Sequence, residues 1–444
     1  MKKYSKFITI TLFFIAGSIN GFGQEYKDFD LSTYKLPDIV RNELDFSLSS
    51  SGEFNDRNAT NTDAFNIDGN LKTAFNRYKN TTAFRGWHNA ELGLGGKYSS
   101  SGESKKYNDY NVSLYYNNTS KFYNDKQVYF GTGGSFYFSV EGVKNQNEEY
   151  KYKDKRTDVR VHVPLVVGKG RIEEVKDARQ AVYILDNLAK RGVLKRKLSN
   201  QEVYELAQII STIKNKRFLD SRLRMIDEIT TVDSFFVKNN LLSTVGAPYF
   251  TTLYDYWMYG DRFSRGSGME IESGIRPGFD YLYRKGNEKA VVPAISADFR
   301  LTYEKPVNLY WQRSAFVSLS GLYQYNKLEY PTIAMTDNND QYTVSLNGQY
   351  KWGYYPTSRT NINFGINEYA YWQKNKPRED YSESTSQFTS ITQAFAELYY
   401  YFSPQLRLSV NAGLLFNYNR LIENGKNDFL LKGRFMATLT YSLF

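Results

Sequence analysis

Long stretches of the chain alternate between apolar and polar residues. In the segment 405–419 the even positions are apolar or aromatic from Leu406 to Tyr418, and the odd positions are mostly polar. The segments 342–354 and 159–167 repeat this pattern. Because successive side chains of a β-strand point to opposite faces, the alternation predicts strands with one apolar and one polar face. Such runs suit the about nine to eleven residues that a tilted membrane-spanning strand needs.

Fourteen segments of this kind can be counted, which predicts an all-β, antiparallel transmembrane barrel of about 12 to 16 strands. They lie near residues 42–53, 63–77, 83–98, 107–118, 126–142, 156–167, 268–283, 290–303, 308–325, 341–353, 358–372, 387–402, 404–419 and 428–443. An even count brings both ends of a bacterial barrel to the periplasm. The predicted periplasmic connections, such as 78–80 and 402–404, are short, and the predicted outer ones, 143–155, 326–340 and 373–386, are long and polar.

A helical periodicity replaces the alternation between the sixth and seventh candidate strands. Apolar residues three and four positions apart run through 175–188 and 203–213, and a third helix is expected from Arg217 to Ile229. Strand parity places this small amphipathic bundle on the periplasmic side of the barrel. It is far longer than an ordinary periplasmic turn, so it predicts an inserted domain.

Local signals fix some boundaries of this insertion. Ser199 and Glu202 have the spacing of a capping box, which predicts the start of the second helix. Residues 245–267 are rich in Tyr, Trp and Gly without clear periodicity, and they are interpreted as a connector back to the barrel.

The N-terminus predicts export. Lys2, Lys3 and Lys6 precede a short apolar run, and small residues follow that suit cleavage before Gln24. The predicted signal peptide is therefore residues 1–23, since the run is too short for a transmembrane helix with these flanks. The chain contains no cysteine, so neither a lipid-bearing cysteine nor a disulfide is expected.

Composition and charge narrow the functional classes. Aromatic residues make up 17% of the chain, with 39 Tyr and 30 Phe against two His. A membrane barrel produces this mixture because alternate residues face a polar lumen while aromatic side chains form girdles at both interfaces. The formal charge of +10 is concentrated in the signal peptide and the helical region. An exported chain does not meet cytosolic nucleic acid, so nucleic acid is not an expected partner.

The signal peptide, the fourteen strand segments and a last strand containing Tyr441 and Phe444 give the chain its family resemblance. It resembles the outer-membrane β-barrel proteins of Gram-negative bacteria. The resemblance implies localisation in the outer membrane, contact with its lipid, and insertion by the barrel-assembly machinery, which reads a terminal aromatic residue in this class. Here Phe444 departs from the pattern, because the outward phase is carried by Tyr441 and Leu443. The helical region matches no characterised family.

The sequence thus predicts four parts. They are the signal peptide 1–23, a first barrel part 24–168 with about six strands, a helical periplasmic insertion with its connector 169–262, and a second barrel part 263–444 with about eight strands. The insertion could dock a periplasmic protein or an envelope polymer, or act as a plug. A solvated charged face is the simpler interpretation of its Lys and Arg residues.

Strand phase also predicts which charged side chains line the lumen. The candidates are Arg160, His162, Glu270, Glu272, Arg276, Asp280, Asp298, Arg300, Arg407, Lys432 and Arg434. One interpretation is a polar conduit whose charges tune selectivity or hold a solute. The other is an interior of salt bridges that satisfy one another, and mutual pairing of Glu270 and Glu272 with Arg276 is expected.

An enzyme is not expected, although outer-membrane hydrolases share this architecture. The two histidines, His88 and His162, lie in no recognisable motif, and His88 should face outward. No catalytic site, metal site or cofactor is predicted. The leading hypothesis is a porin-like transport or export conduit with a periplasmic docking or plug domain. The alternative is a non-conducting structural or surface-interaction barrel, and an outer-membrane hydrolase is a minor third.

Overall fold

The computed structural model describes most of the chain beyond its first residues. The described residues are 26, 29–55, 64–101, 105–146, 151–215, 221–259, 263–286, 288–333, 335–378, 383–403, 405–422, 425 and 427–441. The predicted signal peptide and the terminal Phe444 lie outside them, so both remain predictions from the sequence.

Antiparallel β-strands make up most of the described chain, with lengths from 10 residues in β7 to 23 in β11. The strands are β1 (Ile39–Asn55), β2 (Ala64–Asn80), β3 (Phe84–Ser101), β4 (Lys105–Tyr123), β5 (Val128–Gln146), β6 (Lys151–His162), β7 (Leu165–Glu174), β8 (Gly266–Arg284), β9 (Glu288–Pro306), β10 (Trp311–Tyr330), β11 (Met335–Thr357), β12 (Thr360–Pro377), β13 (Thr385–Tyr401), β14 (Leu406–Leu421) and β15 (Asn427–Tyr441). Most are longer than the three to ten or so residues of ordinary globular strands.

Apart from β6 and β7, which do not pair with each other, each strand pairs with its neighbours in the sequence, so the sheet is a simple meander. β6 and β7 share one position, because both pair with β5 and β8. Pro164, between them, has no backbone N–H, and Val163 donates its own to the carbonyl of Pro277 at 3.0 Å. The sheet therefore has the fourteen strand positions that the alternation predicts. Within the described residues, β1 pairs only with β2 and β15 only with β14.

The two faces of the sheet differ in character. Large apolar side chains stay exposed on one face, among them Leu414 at 60%, Ile366 at 55% and Ile275 at 48%. The opposite face carries polar side chains such as Asn367 and Gln349, which bond to each other. A whole face of exposed apolar side chains requires hydrocarbon around it. The fold class predicted from the sequence, an antiparallel transmembrane β-barrel, is confirmed.

Contacts across the polar face show that the sheet curls. Lys121 on β4 reaches Glu272 on β8, with 2.8 Å between the ammonium nitrogen and a carboxylate oxygen. Arg85 on β3 donates to the backbone carbonyl of Ile172 on β7 at 2.8 Å. Both contacts pass over the strands that lie between the partners. The polar face is therefore the inside of the barrel.

The insertion contains four helices, α1 (Lys176–Lys190), α2 (Asn200–Asn215), α3 (Ser221–Lys238) and α4 (Ala247–Tyr259). None of these described helices is long and apolar enough to cross a membrane. The strand region runs on to Glu174, past the predicted boundary at 168, because Gly168 and Gly170 interrupt the visible alternation.

Two helix predictions need correction. The third helix was expected from Arg217 to Ile229, but α3 continues to Lys238, and residues 216–220 lie outside the described part. The segment 245–267, expected to be a connector, contains α4. Its apolar period is hidden because aromatic residues lie on both its buried and its exposed sides.

The helices have their own apolar core. It includes Val182, Leu185, Leu206 and Phe236, all fully buried. Tyr26 and residues 29–36, called the N-terminal segment, pack into the same core before the chain enters β1. The four helices and the N-terminal segment thus form one body, called the helical unit.

Candidate functional site

A charged cluster lies inside the barrel between β4 and β9. The Lys121 ammonium contacts the carboxylates of Glu270 and Glu272. The Tyr129 hydroxyl donates to Glu272 at 2.8 Å, and the Arg300 guanidinium lies 3.0 Å from the other oxygen of Glu272. The side chains of Lys121, Glu270 and Glu272 are 14%, 12% and 11% exposed, so water screens them only partly.

Two glycines on β7 allow the backbone to pass close to this cluster. Gly168 on β7 faces the Tyr129 ring, and a Cβ there would lie 2.4 Å from a ring carbon. Gly170 has a φ of +97°, and its Cβ would lie 1.9 Å from the carbonyl oxygen of Met269. Only glycine suits such a backbone and such close approach. These positions therefore let β7 bend beside the cluster.

Further lumenal residues pair within smaller groups. Arg276 contacts Asp298 at 3.3 Å, and Ser320 donates to the same carboxylate at 2.6 Å. Nearer the outer end, Arg160 contacts Asp158 at 2.6 Å. His162 lies 3.5 Å from Asp280.

The structure brings only part of the predicted set together. Glu270, Glu272 and Arg300 share one cluster, but Arg276 pairs with Asp298 and not with the two glutamates as expected. Arg407, Lys432 and Arg434 lie exposed on β14 and β15, away from both groups among the described residues. The prediction that all of these residues line a lumen stays a prediction.

A cavity of about 730 Å³ lies between the barrel wall and the helical unit. It lies near the end of the barrel where the turns are short. Charged residues of both signs line it: Arg41, Arg85, Lys121, Lys176 and Lys214 with Glu43, Glu174, Asp177, Glu270 and Glu304. The cavity can therefore hold water and small polar solutes, and the helical unit forms one of its walls.

Arg265, in the link between α4 and β8, fastens the end of that link to neighbouring strand ends. It is 1% exposed and donates to the carbonyl oxygens of Asn308 and Trp311, both at 2.8 Å, and to the Gln312 side chain at 3.1 Å. Its guanidinium also lies 5.0 Å from the centre of the Tyr355 ring. Burial lowers the pKa of Arg265 to about 10, so the group is still a cation at neutral pH.

Other contacts tie the helices to the same rim. The Tyr183 hydroxyl on α1 donates to the carbonyl oxygen of Tyr355 at 2.6 Å. Asp255 on α4 forms a salt bridge with Arg359 in the turn between β11 and β12. The helical unit is therefore bound to the barrel beside the turn between β11 and β12. Within the barrel wall, Arg171 on β7 donates to the Asn80 side chain at 2.7 Å, beside the turn between β2 and β3.

The N-terminal segment adds a buried hydrogen-bond chain. Tyr34 bonds to the Ser211 hydroxyl at 2.8 Å, and Ser211 donates to Asp177 at 2.5 Å. Lys214 lies 3.2 Å from the same carboxylate. Burial raises the pKa of the Tyr34 hydroxyl, which therefore stays protonated and able to donate. This chain joins the start of the barrel to α1 and α2.

Sequence reasoning missed Lys121, Tyr129, Arg85 and Arg265. Lys121 and Arg85 share the polar phase of their strands, so strand phase could have found them. Tyr129 was indistinguishable from a girdle aromatic, and Arg265 precedes the first residue of β8, where no alternation applies.

A metal site and His88 are two further candidates for chemistry. Among the described residues, no three His, Asp or Glu side chains lie close enough to hold a metal ion. His88 shares a hydrogen bond of 3.1 Å with Tyr116 on the outer face.

No family model matches the chain, and no curated protein matches it. Among solved structures, it aligns with the translocator domain of autotransporter NalP from Neisseria meningitidis at 7% identity, covering 99% of this chain and 96% of that one, with a TM-score of 0.24. The ferric yersiniabactin uptake receptor FyuA from Yersinia pestis aligns at 6% identity over 88% and 62%, with a TM-score of 0.32. A loop-deletion mutant of OmpT, an outer membrane protein of Vibrio cholerae, aligns at 8% over 90% and 100%, with a TM-score of 0.19.

Similarities this low say nothing about the activity of this chain. The class assignment therefore rests on the chain itself, namely on its strand order, its two-faced sheet and its curl. Those features define an outer-membrane type of β-barrel whose short-turn end is occupied by a helical unit.

Proposed function

We propose that the protein is an outer-membrane conduit whose helical unit acts as a plug at the periplasmic mouth. The observation that carries the proposal is the seating of the helices against the turn ends of the barrel, over a cavity lined by charged side chains. A purely structural barrel needs no polar cavity beneath such a body. A plug that is held by side-chain contacts, and not by strand pairing, can leave its seat without unfolding the barrel.

The proposal includes the route to the membrane. We propose export by the signal peptide 1–23 and insertion by the barrel-assembly machinery, with the outward face in contact with outer-membrane lipid. The helical unit then faces the periplasm, where a protein or envelope polymer could displace it. We propose no enzymatic role, and a loss of lipid or peptide substrate on incubation with the pure protein would contradict that.

Single-channel recording in a planar bilayer tests the conduit. The backbone N–H of Val175 donates to the carbonyl of Arg265 at 2.9 Å, so a short Gly-Ser linker can replace residues 176–263 without moving β7 or β8. We expect steady current from this deletion variant and a much smaller, intermittent current from the full protein. No current from either form would contradict the proposal.

A reversible lock provides the matched control. Because the chain has no cysteine, Asp255→Cys with Arg359→Cys gives one addressable pair across the seat of the plug. A cleavable thiol cross-linker should abolish the intermittent current of the full protein, and reductant should restore it. Unchanged current in the locked form would show that the helical unit does not gate the lumen.

The second candidate is a non-conducting barrel that presents its outer loops to other surfaces. The self-paired charges favour it, because Lys121, Glu270, Glu272 and Arg300 satisfy one another across the lumen. If the deletion variant folds but carries no current, this second function replaces the first.

A further inference from the structure

Two cations lie side by side on the outward face of the barrel, at the end that the helical unit occupies. Lys305, the next-to-last residue of β9, pairs directly with Arg313, the third residue of β10. Arg313 has the strand phase of Val317, which is 37% exposed on the apolar face. The turn between these strands ends at Trp311, whose carbonyl oxygen accepts from Arg265. The two cations therefore lie where the outward face of the barrel ends.

Among the described residues, no carboxylate forms an ion pair with Lys305 or Arg313. Glu304, the neighbouring acidic residue in the chain, lies on the lumenal face, where Gln312 and Ser314 donate to it at 2.8 and 2.6 Å. Like charges that lie directly opposite each other on neighbouring strands are destabilising. An anion that contacts both cations would remove this repulsion.

Aromatic rings surround the guanidinium of Arg313. Its central carbon lies over the Trp352 ring, 4.5 Å from the ring centre. The Trp311 ring lies 5.9 Å from that of Trp352 and 4.5 Å from that of Tyr354. A guanidinium above a ring keeps its N–H donors in its own plane, where two of them can bind one phosphate group. Lys305, Arg313, Trp311, Trp352 and Tyr354 are called the rim cluster.

We propose that the rim cluster binds the headgroup of an anionic phospholipid in the leaflet on the side of the helical unit. Tryptophan and tyrosine rings of a barrel lie at the level of the headgroups, so a phosphate is within reach of both cations. The acyl chains then lie along the apolar face that continues from Val317. A zwitterionic headgroup would bring a third cation to this place, and an anionic headgroup does not. The inference rests on the membrane placement of the barrel and not on conduction.

Lipid binding by the full protein tests this site. Native mass spectrometry of the protein in detergent, titrated with phosphatidylglycerol or with phosphatidylcholine of the same chain length, gives the affinity for each lipid. We expect phosphatidylglycerol to bind at least about tenfold more tightly. Equal affinities would overturn the proposal. Displacement of phosphatidylglycerol by an equal concentration of inorganic phosphate would also overturn it, because the site would then be one for free anions.

Matched charge removals separate the rim cluster from the general charge of the outward face. The double variant Lys305→Gln with Arg313→Gln should lose at least about tenfold in affinity for phosphatidylglycerol. The control is Lys79→Gln with Lys169→Gln, which removes two outward cations that lie apart on β2 and β7. It should change the affinity by less than about twofold. Equal losses in the two double variants would contradict the proposal.

The unaltered protein provides an independent measurement. A phosphatidylglycerol probe with a photoreactive headgroup should label residues 303–313 more strongly than any other outward segment. Labelling spread evenly around the barrel would argue against a specific site. Arg313→Lys keeps the charge but loses the planar fork of donors, so its affinity should be intermediate. Heat-modifiable migration in gels verifies that each variant is folded.

Discussion

At the residue scale, the lumenal charges show what alternation can and cannot predict. Strand phase predicts that Glu270 and Glu272 point inward, and they lie on the polar face of β8. The predicted pairing of these glutamates with Arg276 is wrong. Arg276 lies farther along the same strand, and it pairs with Asp298 on the neighbouring strand β9. The real partner, Lys121, is about 150 residues away and arrives through the curl of the sheet. A one-dimensional pattern cannot supply that proximity.

Removing the central cation should therefore be costly. Lys121→Met leaves two partly buried carboxylates close together, and we expect the free energy of unfolding to fall by about 3 kcal/mol. Urea unfolding followed by tryptophan fluorescence measures it. Adding Glu270→Gln to the same variant should recover part of the loss. A decrease below about 1 kcal/mol would indicate a solvent-screened pair instead.

At the element scale, the strands could be predicted from the sequence, and the helices could be predicted only in part. Strands carry a period of two, which is visible in most of the fourteen positions and is interrupted at places such as Pro164 and Gly170. The capping box at the start of α2 is confirmed, because Ser199 and Glu202 exchange hydrogen bonds of 2.8 and 3.3 Å. α4 was not predicted, because apolar residues lie on all sides of this helix and therefore show no helical period.

The cap predicts an acid-sensitive helix. Arg196, and then the Ser199 backbone, lower the pKa of Glu202 to about 2, from an unfolded value of about 4.3. Because the folded pKa is the lower one, this stabilisation is present above about pH 4.3 and is lost as the pH falls toward 2. Glu202→Gln should remove it, at a cost of about 1 kcal/mol near pH 6 and much less near pH 2. Thermal unfolding followed by the far-UV helical signal measures both, and an equal cost at the two pH values would contradict the assignment.

At the scale of the whole molecule, the barrel and the helical unit meet through few specific contacts. The sequence predicts both bodies, but it does not place one against the other. That junction depends on Arg265, Arg359 and Tyr183, which no periodicity marks. A plugged conduit and a closed barrel would have the same strands. The arrangement of the helical unit against the barrel is what distinguishes the two functions.

Loosening the junction should expose the helices. Arg265→Met leaves several buried acceptors without their donor, which costs about 1–3 kcal/mol. A loss of about 1.4 kcal/mol corresponds to a tenfold change in the undocked population. We expect proteolysis of the loop between α1 and α2 to accelerate at least tenfold while the barrel stays folded. Arg265→Lys should give an intermediate rate, and an unchanged rate for Arg265→Met would place the junction elsewhere.

The N-terminal segment also bears on the order of assembly. Its contacts to α1 and α2 unite the first described residues with the middle of the chain, and all four described helices precede β8 in the chain. The unit can therefore fold in water while the second half of the barrel is still unpaired. It would then act as a template around which the later strands wrap. Tyr34→Ala should accordingly slow the appearance of heat-resistant barrel in a refolding time course, and an unaltered time course would show that the plug arrives last.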